Sequence, residues 1–244
     1  MGLKMRRVLL ATVAGLAIGA SPVAAADLPA KPVYKAPVVA VYNWTGGYVG
    51  LNFGYSWGEA TTTITGAAPF TPSPTDFGAK PSGFIAGLQL GYNWQSSPNW
   101  LWGLEADFQY SDEHGTASCC TPTATVDARI RWFGTFRGRL GWVSNDWLLY
   151  ITGGLAYANL ARAATQLGVY SYGDSTWRAG WTVGAGVEKA LGANWTGKIE
   201  YLYMDLGNTN ANVTDAVAAP IGPIAINTKW TDHVFRVGVN YRFR

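Results

Sequence analysis

The chain has 244 residues, with 18 Lys+Arg against 15 Asp+Glu, only 14% charged residues, 14% aromatic residues and 30 glycines. Three of the basic residues, Lys4, Arg6 and Arg7, stand in an N-terminal stretch without an acid, so its removal leaves 15 charges of each sign. A balanced, charge-poor chain without a basic patch excludes a nucleic-acid binder, and a cytosolic enzyme of this length would usually carry more charge.

Lys4, Arg6 and Arg7 precede an apolar run, Val8 to Ala20, which is followed by Ser21, Pro22 and the small residues Ala24, Ala25 and Ala26. This order is that of a secretory signal peptide, residues 1–26, cleaved after Ala26. A run of about 13 residues is too short to cross a hydrocarbon core that needs about 20. Nothing downstream is long and apolar enough for a helical span, so a membrane protein with this sequence has to be a β-barrel. Residues 27–43, DLPAKPVYKAPVVAVYN, read as a Pro-punctuated periplasmic linker, and the barrel is placed at 44–244.

From Trp44 onward a period of two recurs in eight segments. In chain order, the apolar faces are Val49 to Trp57, Phe84 to Trp94, Trp100 to Tyr110, and Ile130, Trp132, Phe136, Leu140 and Trp142. They continue with Trp147 to Tyr157, Trp177 to Val187, Trp195, Ile199, Tyr201 and Tyr203, and finally His233 to Phe243. The opposite faces carry Gly, Asn, Thr and nearly all the charge. The links 95–99, 143–146 and 191–194 are short, while 58–81, 111–127, 161–175 and 207–229 are long and rich in Thr, Ala, Pro, Gly and Ser. Tight turns at one end and long loops at the other predict an eight-stranded antiparallel up-and-down transmembrane barrel, with short periplasmic turns and long extracellular loops.

The aromatic residues follow the same register. Trp44, Trp94, Trp100, Trp142, Trp147, Trp195 and Phe243 fall at strand ends next to the short turns, and Trp57, Tyr110, Tyr157, Trp177, Tyr203 and Trp230 at the opposite ends. Two girdles of amphipathic rings, separated by about 9 to 11 residues, suit the two interfaces of a bilayer. A soluble ligand barrel would instead have to house more than a dozen aromatic rings, and an eight-stranded interior is only just wide enough to be filled by side chains.

On the non-apolar side the sequence predicts a lumen charge network of Glu105, Asp107, Arg129, Arg131, Arg137, Arg139, Arg178, Glu188, Lys198, Glu200, Asp232 and Arg236. Charges in so confined a space persist only when paired, which predicts a bridged plug rather than a wide channel. The expected pairs are Glu105 or Asp107 with the arginines of the next strand, Asp107 facing Arg129 or Arg131, and Arg137 or Arg139 with Glu188 or Glu200 across the barrel. No catalytic or metal constellation emerges, and no cofactor is expected. Cys119 and Cys120 are adjacent, a spacing that allows only a strained bridge and fits no metal site. The two histidines, His114 and His233, have no nucleophile at a recognisable spacing. A lipid-modifying enzyme would need a His, a Ser such as Ser175 and a carboxylate such as Asp232 to converge. Haem binding would draw on His114, Tyr170 or Tyr172.

Four stretches carry a resemblance: ADLPAKPVYKAP at 26–37, NWTGGYVGLNFGYSWG at 43–58, EYLYMDLG at 200–207 and HVFRVGVNYRF at 233–243. With them the mature chain, over essentially its whole length, resembles the small porin-like outer-membrane β-barrel surface proteins of alphaproteobacteria. The resemblance implies an outer-membrane location without a cofactor, among members described as surface antigens, porin-like proteins and haem-binding proteins. Its implied partners are outer-membrane lipids and lipopolysaccharide, and the barrel-assembly machinery acting on the C-terminal strand. The family pattern closes on the aromatic residue, whereas here Arg244 follows Phe243. A surface protein with its loops as contact face, a small diffusion porin, and haem-binding or lipid-modifying variants are the functions this leaves.

Overall fold

A computed structural model describes residues 42–65, 75–119, 124–166, 170–213 and 224–243. The expected signal peptide, the linker up to residue 41, Cys120 and Arg244 lie outside the described residues, as do the side chains of Cys119, Tyr170 and Tyr172. The described chain is built of strands: β1 (Gly46–Thr65), β2 (Thr75–Ala79), β3 (Ser82–Gln95), β4 (Trp100–Cys119), β5 (Ala124–Ser144), β6 (Trp147–Gln166), β7 (Tyr170–Ala190), β8 (Trp195–Val213) and β9 (Ile224–Arg242).

Each strand pairs antiparallel with its neighbour, and β1 pairs with β9 from Tyr48↔Arg242 to Thr65↔Ala225, which closes the sheet into a barrel. The wall is eight strands around. Strands β2 and β3 both line β1, β2 opposite Ala60–Ile64 and β3 opposite Gly46–Trp57, so together they make one wall strand broken at Lys80-Pro81. Proline cannot donate a ladder hydrogen bond, and the Pro81 carbonyl instead accepts from the Gly58 amide at 2.8 Å.

The short turns stand where the sequence places them. The link between β5 and β6 is two residues, and Asn145 adopts φ 55°, a left-handed conformation that a short polar side chain tolerates. The long connections are much shorter than the sequence reading: strands of 19 to 21 residues reach to Thr65, Cys119, Gln166 and Val213. These Thr-, Ala- and Asn-rich extensions lack an apolar alternation, because they face no hydrocarbon, yet backbone pairing continues through them. One seam is the exception. Pairing between β7 and β8 ends at Trp181↔Asp205, and above it each strand is held only by its other neighbour. Gly207, at φ 71°, forms a bulge there with its amide bound to Asp205 Oδ1 at 2.8 Å.

The outer wall is the apolar face. Leu51, Phe53, Phe84, Leu88, Leu90, Ile151 and Leu155 are each 60% or more exposed. The aromatic residues border this band and pack on one another: Trp94 stacks on Trp102, Trp100 meets Trp142 edge-on, and Trp195 meets Tyr241. Two tryptophans depart from the expected girdles. Trp44 and Trp230 are fully buried inside the barrel. Trp44 precedes the first strand, so no pleat fixes its direction, and it folds under the open end against Leu101, Val143, Leu148 and Tyr150. Trp230 shares the parity of Asp232, Val234 and Arg236 on β9, so the regular pleat turns it inward. There it joins Ile85, Ile130, Phe133, Leu202, Met204 and Val234.

Candidate functional site: the charged interior

Between those two apolar clusters lies a layer of ionised side chains. Among the described residues it holds four carboxylates, Glu105, Asp107, Glu188 and Glu200, and four cations, Arg137, Arg139, Lys198 and Arg236. All eight are on positions of one parity within their strands, so the pleat alone turns them inward. Their side chains are 2% exposed or less.

Glu105 is the hub. It pairs with Arg137 on the next strand, with Lys198 at 2.9 Å, and more loosely with Arg139 at 3.5 Å and Arg236 at 3.6 Å. Glu200 receives Arg236 at 2.6 Å and Arg137 at 3.1 Å from opposite sides. Asp107 receives Arg236 at 2.9 Å, Arg137 at 3.1 Å and the Thr135 hydroxyl at 2.6 Å. Glu188 completes the layer with Arg139 at 2.7 Å, the Thr196 hydroxyl and the Asn240 amide at 2.9 Å. Desolvating eight charges is costly, and only this mutual pairing with added hydrogen bonds offsets it.

Two tyrosines that sequence reasoning left out belong to the layer. Tyr48 donates to Glu105 at 2.6 Å and Tyr150 to Glu200 at 2.9 Å, while the Arg139 guanidinium lies 4.0 Å from the centre of the Tyr150 ring. Each phenol needs space on a neighbouring strand, and a glycine supplies it: a Cβ on Gly91 would meet the Tyr48 ring, and one on Gly186 the Tyr150 ring. The signal was present in the sequence as inward glycines beside inward tyrosines, but the pairing of strands was needed to read it.

Four of the twelve expected network residues lie elsewhere. Arg129 and Arg131 are exposed on the outer wall. The register of β5 slips between Ile130 and Trp132, so Arg131 has no partner on β6 and the parity of β5 reverses above it. A one-residue slip moves every later side chain to the other face. Asp107 faces Thr135 rather than Arg129 or Arg131, because the regular ladder that starts at Trp100↔Trp142 beside the short turn sets its partner before the slip is reached. Asp232 is fully buried but stands apart from the layer, accepting from the Ser56 hydroxyl at 3.1 and 3.2 Å. Glu113, which the sequence reading assigned to a loop, is also inward and buried, with Ser111 donating to it at 2.9 Å. Arg178 is half-buried on the inner face of β7, above the last β7–β8 pair, and makes none of the layer's ion pairs.

The enzyme residues do not converge. Asp232 points into the barrel, the Ser175 hydroxyl donates to Asn159, and His233 packs on Trp57 and shares a 2.6 Å hydrogen bond with Tyr201. Of the residues considered for haem, His114 is exposed with Nδ1 at 3.2 Å from the Asp112 carbonyl.

A closed barrel with this outer wall is matched by known proteins along its whole length. The outer membrane protein beta-barrel domain family covers residues 11–243. A 31 kDa outer-membrane immunogenic protein of Brucella melitensis is 36% identical, over 98% of this chain and 100% of its own. The chain belongs to this outer-membrane β-barrel family. Further relatives are a 25 kDa outer-membrane immunogenic protein of Brucella melitensis, 29% identical over 98% of this chain and 99% of its own, and a 22 kDa outer membrane protein of Rhizobium leguminosarum bv. viciae, 32% identical over 70% and 68%. Among solved structures, the outer membrane protein OprG of Pseudomonas aeruginosa superposes with a TM-score of 0.56 at 12% identity, covering 83% of this chain and 100% of that one. The Escherichia coli outer membrane protease OmpT does so at 0.52 and 11%, covering 81% and 97%. At these identities the two share the fold with this family member and nothing finer. As an outer-membrane β-barrel, the chain turns its short links to the periplasm and its long connections to the outside.

Proposed function

We propose that this protein is a closed outer-membrane barrel whose role is to present its extracellular connections at the cell surface as a contact face, and that it is not a diffusion pore. One observation carries the reading: the interior charges are buried and paired with one another. In a water-filled porin the lumen charges are solvated and unpaired, whereas here eight charges neutralise one another at 2% exposure or less. Apolar side chains fill the interior above and below them. The names of the Brucella relatives, outer-membrane immunogenic proteins, agree with exposure at the surface. Single-channel recording on refolded protein in a planar bilayer tests the reading. The wild type should give no stepwise conductance, and Glu105→Ala with Asp107→Ala should open small anion-preferring steps through the unpaired arginines. Large steps from the wild type would overturn it in favour of a porin.

A further inference from the structure

The two arginines that the β5 slip turns outward have neighbours that give them a purpose. Arg129, Arg131 and His114 line a cleft of about 520 Å³ on the outer wall, floored by Ser111 and Glu113 and bordered by Tyr110 and Trp132. Tyr110 and Trp132 are cross-strand partners with ring centroids 5.0 Å apart, and they mark the outer edge of the membrane band on β4 and β5. Moving away from the membrane, the next outward groups are Asp112 and Arg131, then His114 paired with Arg129 across the strands. The cleft therefore opens at the height where the hydrocarbon ends and lipid headgroups begin.

Among the described residues neither guanidinium has an ion-pair or hydrogen-bond partner within the chain. Asp112 is the one exposed carboxylate in the cleft, with Glu113 buried beneath it, so the exposed charge there is two guanidiniums against one carboxylate. An unsatisfied guanidinium offers a planar fork of donors that suits a phosphate oxygen pair. Aromatic rings directly below would rest on the acyl or sugar part of the same molecule.

We infer that this cleft binds the phosphorylated headgroup of an outer-leaflet lipid, with Arg129 and Arg131 gripping a phosphate monoester and Tyr110 and Trp132 supporting the apolar part below. The inference is independent of whether the lumen conducts, since the cleft is on the opposite face of the wall.

The test is the retention of lipid by refolded full-length protein in detergent, measured by native mass spectrometry with diphosphorylated lipid A, its dephosphorylated form and inorganic phosphate as separate probes. Wild type should retain the phosphorylated lipid about tenfold better than Arg129→Ala with Arg131→Ala, each exposed pairing supplying a few-fold. Arg129→Lys with Arg131→Lys should fall between, because the charge remains and the fork is lost. Lys229→Ala, an exposed cation at the same end of β9, should match wild type. Equal retention by the double alanine variant, or of the dephosphorylated lipid by wild type, would overturn the inference. Displacement of the lipid by millimolar inorganic phosphate would assign the cleft to free anions and overturn it as a lipid site.

Discussion

Replacing Glu105 with alanine is the sharpest perturbation of this barrel. The carboxylate touches Arg137 and both its oxygens lie 2.9 Å from Lys198, while Tyr48 donates to it at 2.6 Å. Its removal leaves four buried cations facing three carboxylates, out of reach of bulk solvent. A buried charge stripped of its partner costs about 3 to 5 kcal/mol. With a urea dependence of about 2 kcal/mol per molar, the unfolding midpoint in lipid vesicles should fall by roughly 1.5 to 2.5 M. Lys198→Ala should lower it similarly, by leaving an excess of carboxylate. The double variant restores neutrality, so it should be clearly more stable than the sum of the two single losses. Additivity of the three values to within about 0.5 kcal/mol would refute the argument, because it would mean that the charges do not act as one layer.

Leu104→Arg and Val183→Arg place a charge on the lipid-facing wall and should cost about 2 to 4 kcal/mol each, whereas Thr116→Arg, exposed on the extension of β4 beyond the membrane, should cost little. Equal losses in a vesicle refolding assay would mean the band is misplaced. Gly91→Ala drives a methyl group into the Tyr48 ring and the Leu104 carbonyl and should destabilise by about 1 to 3 kcal/mol, read as a lower urea midpoint; an unchanged midpoint would show that both neighbours give way freely. N-terminal sequencing of protein extracted from outer membranes should begin at Asp27, and a start at Met1 would remove the case for export.

Much of this was legible in the chain because a strand reports its two faces every other residue. The alternation of Leu, Phe and Trp with Gly, Asn and charge located eight wall segments, and the three short links set their antiparallel order. Inward placement of Glu105, Asp107, Arg137, Arg139, Glu188, Lys198, Glu200 and Arg236 followed from parity alone. Parity pointed to Arg137 and Arg139 meeting Glu200 and Glu188 across the barrel, but not to the longest reaches. Lys198 reaches Glu105, 93 residues away, and Arg236 reaches Asp107, 129 away, which only closure of the sheet brings about.

The two arginines on the outer wall depend on a break in the pleat that local sequence does not announce. Arg129 and Arg131 alternate with Ile130 and Trp132 as regularly as any strand, yet a register slip against β6 reverses them. Trp44 and Trp230 look like girdle residues by type, but one precedes the first strand and the other shares the inward parity of Asp232, Val234 and Arg236, and both are buried. Sequence by itself determined the face of each residue wherever the ladder is regular and one side meets hydrocarbon, because there a slip would cost every side chain its solvent. Tertiary structure decided the rest, since bulges, ring closure and the filling of the interior depend on neighbours that are close only after the barrel has formed.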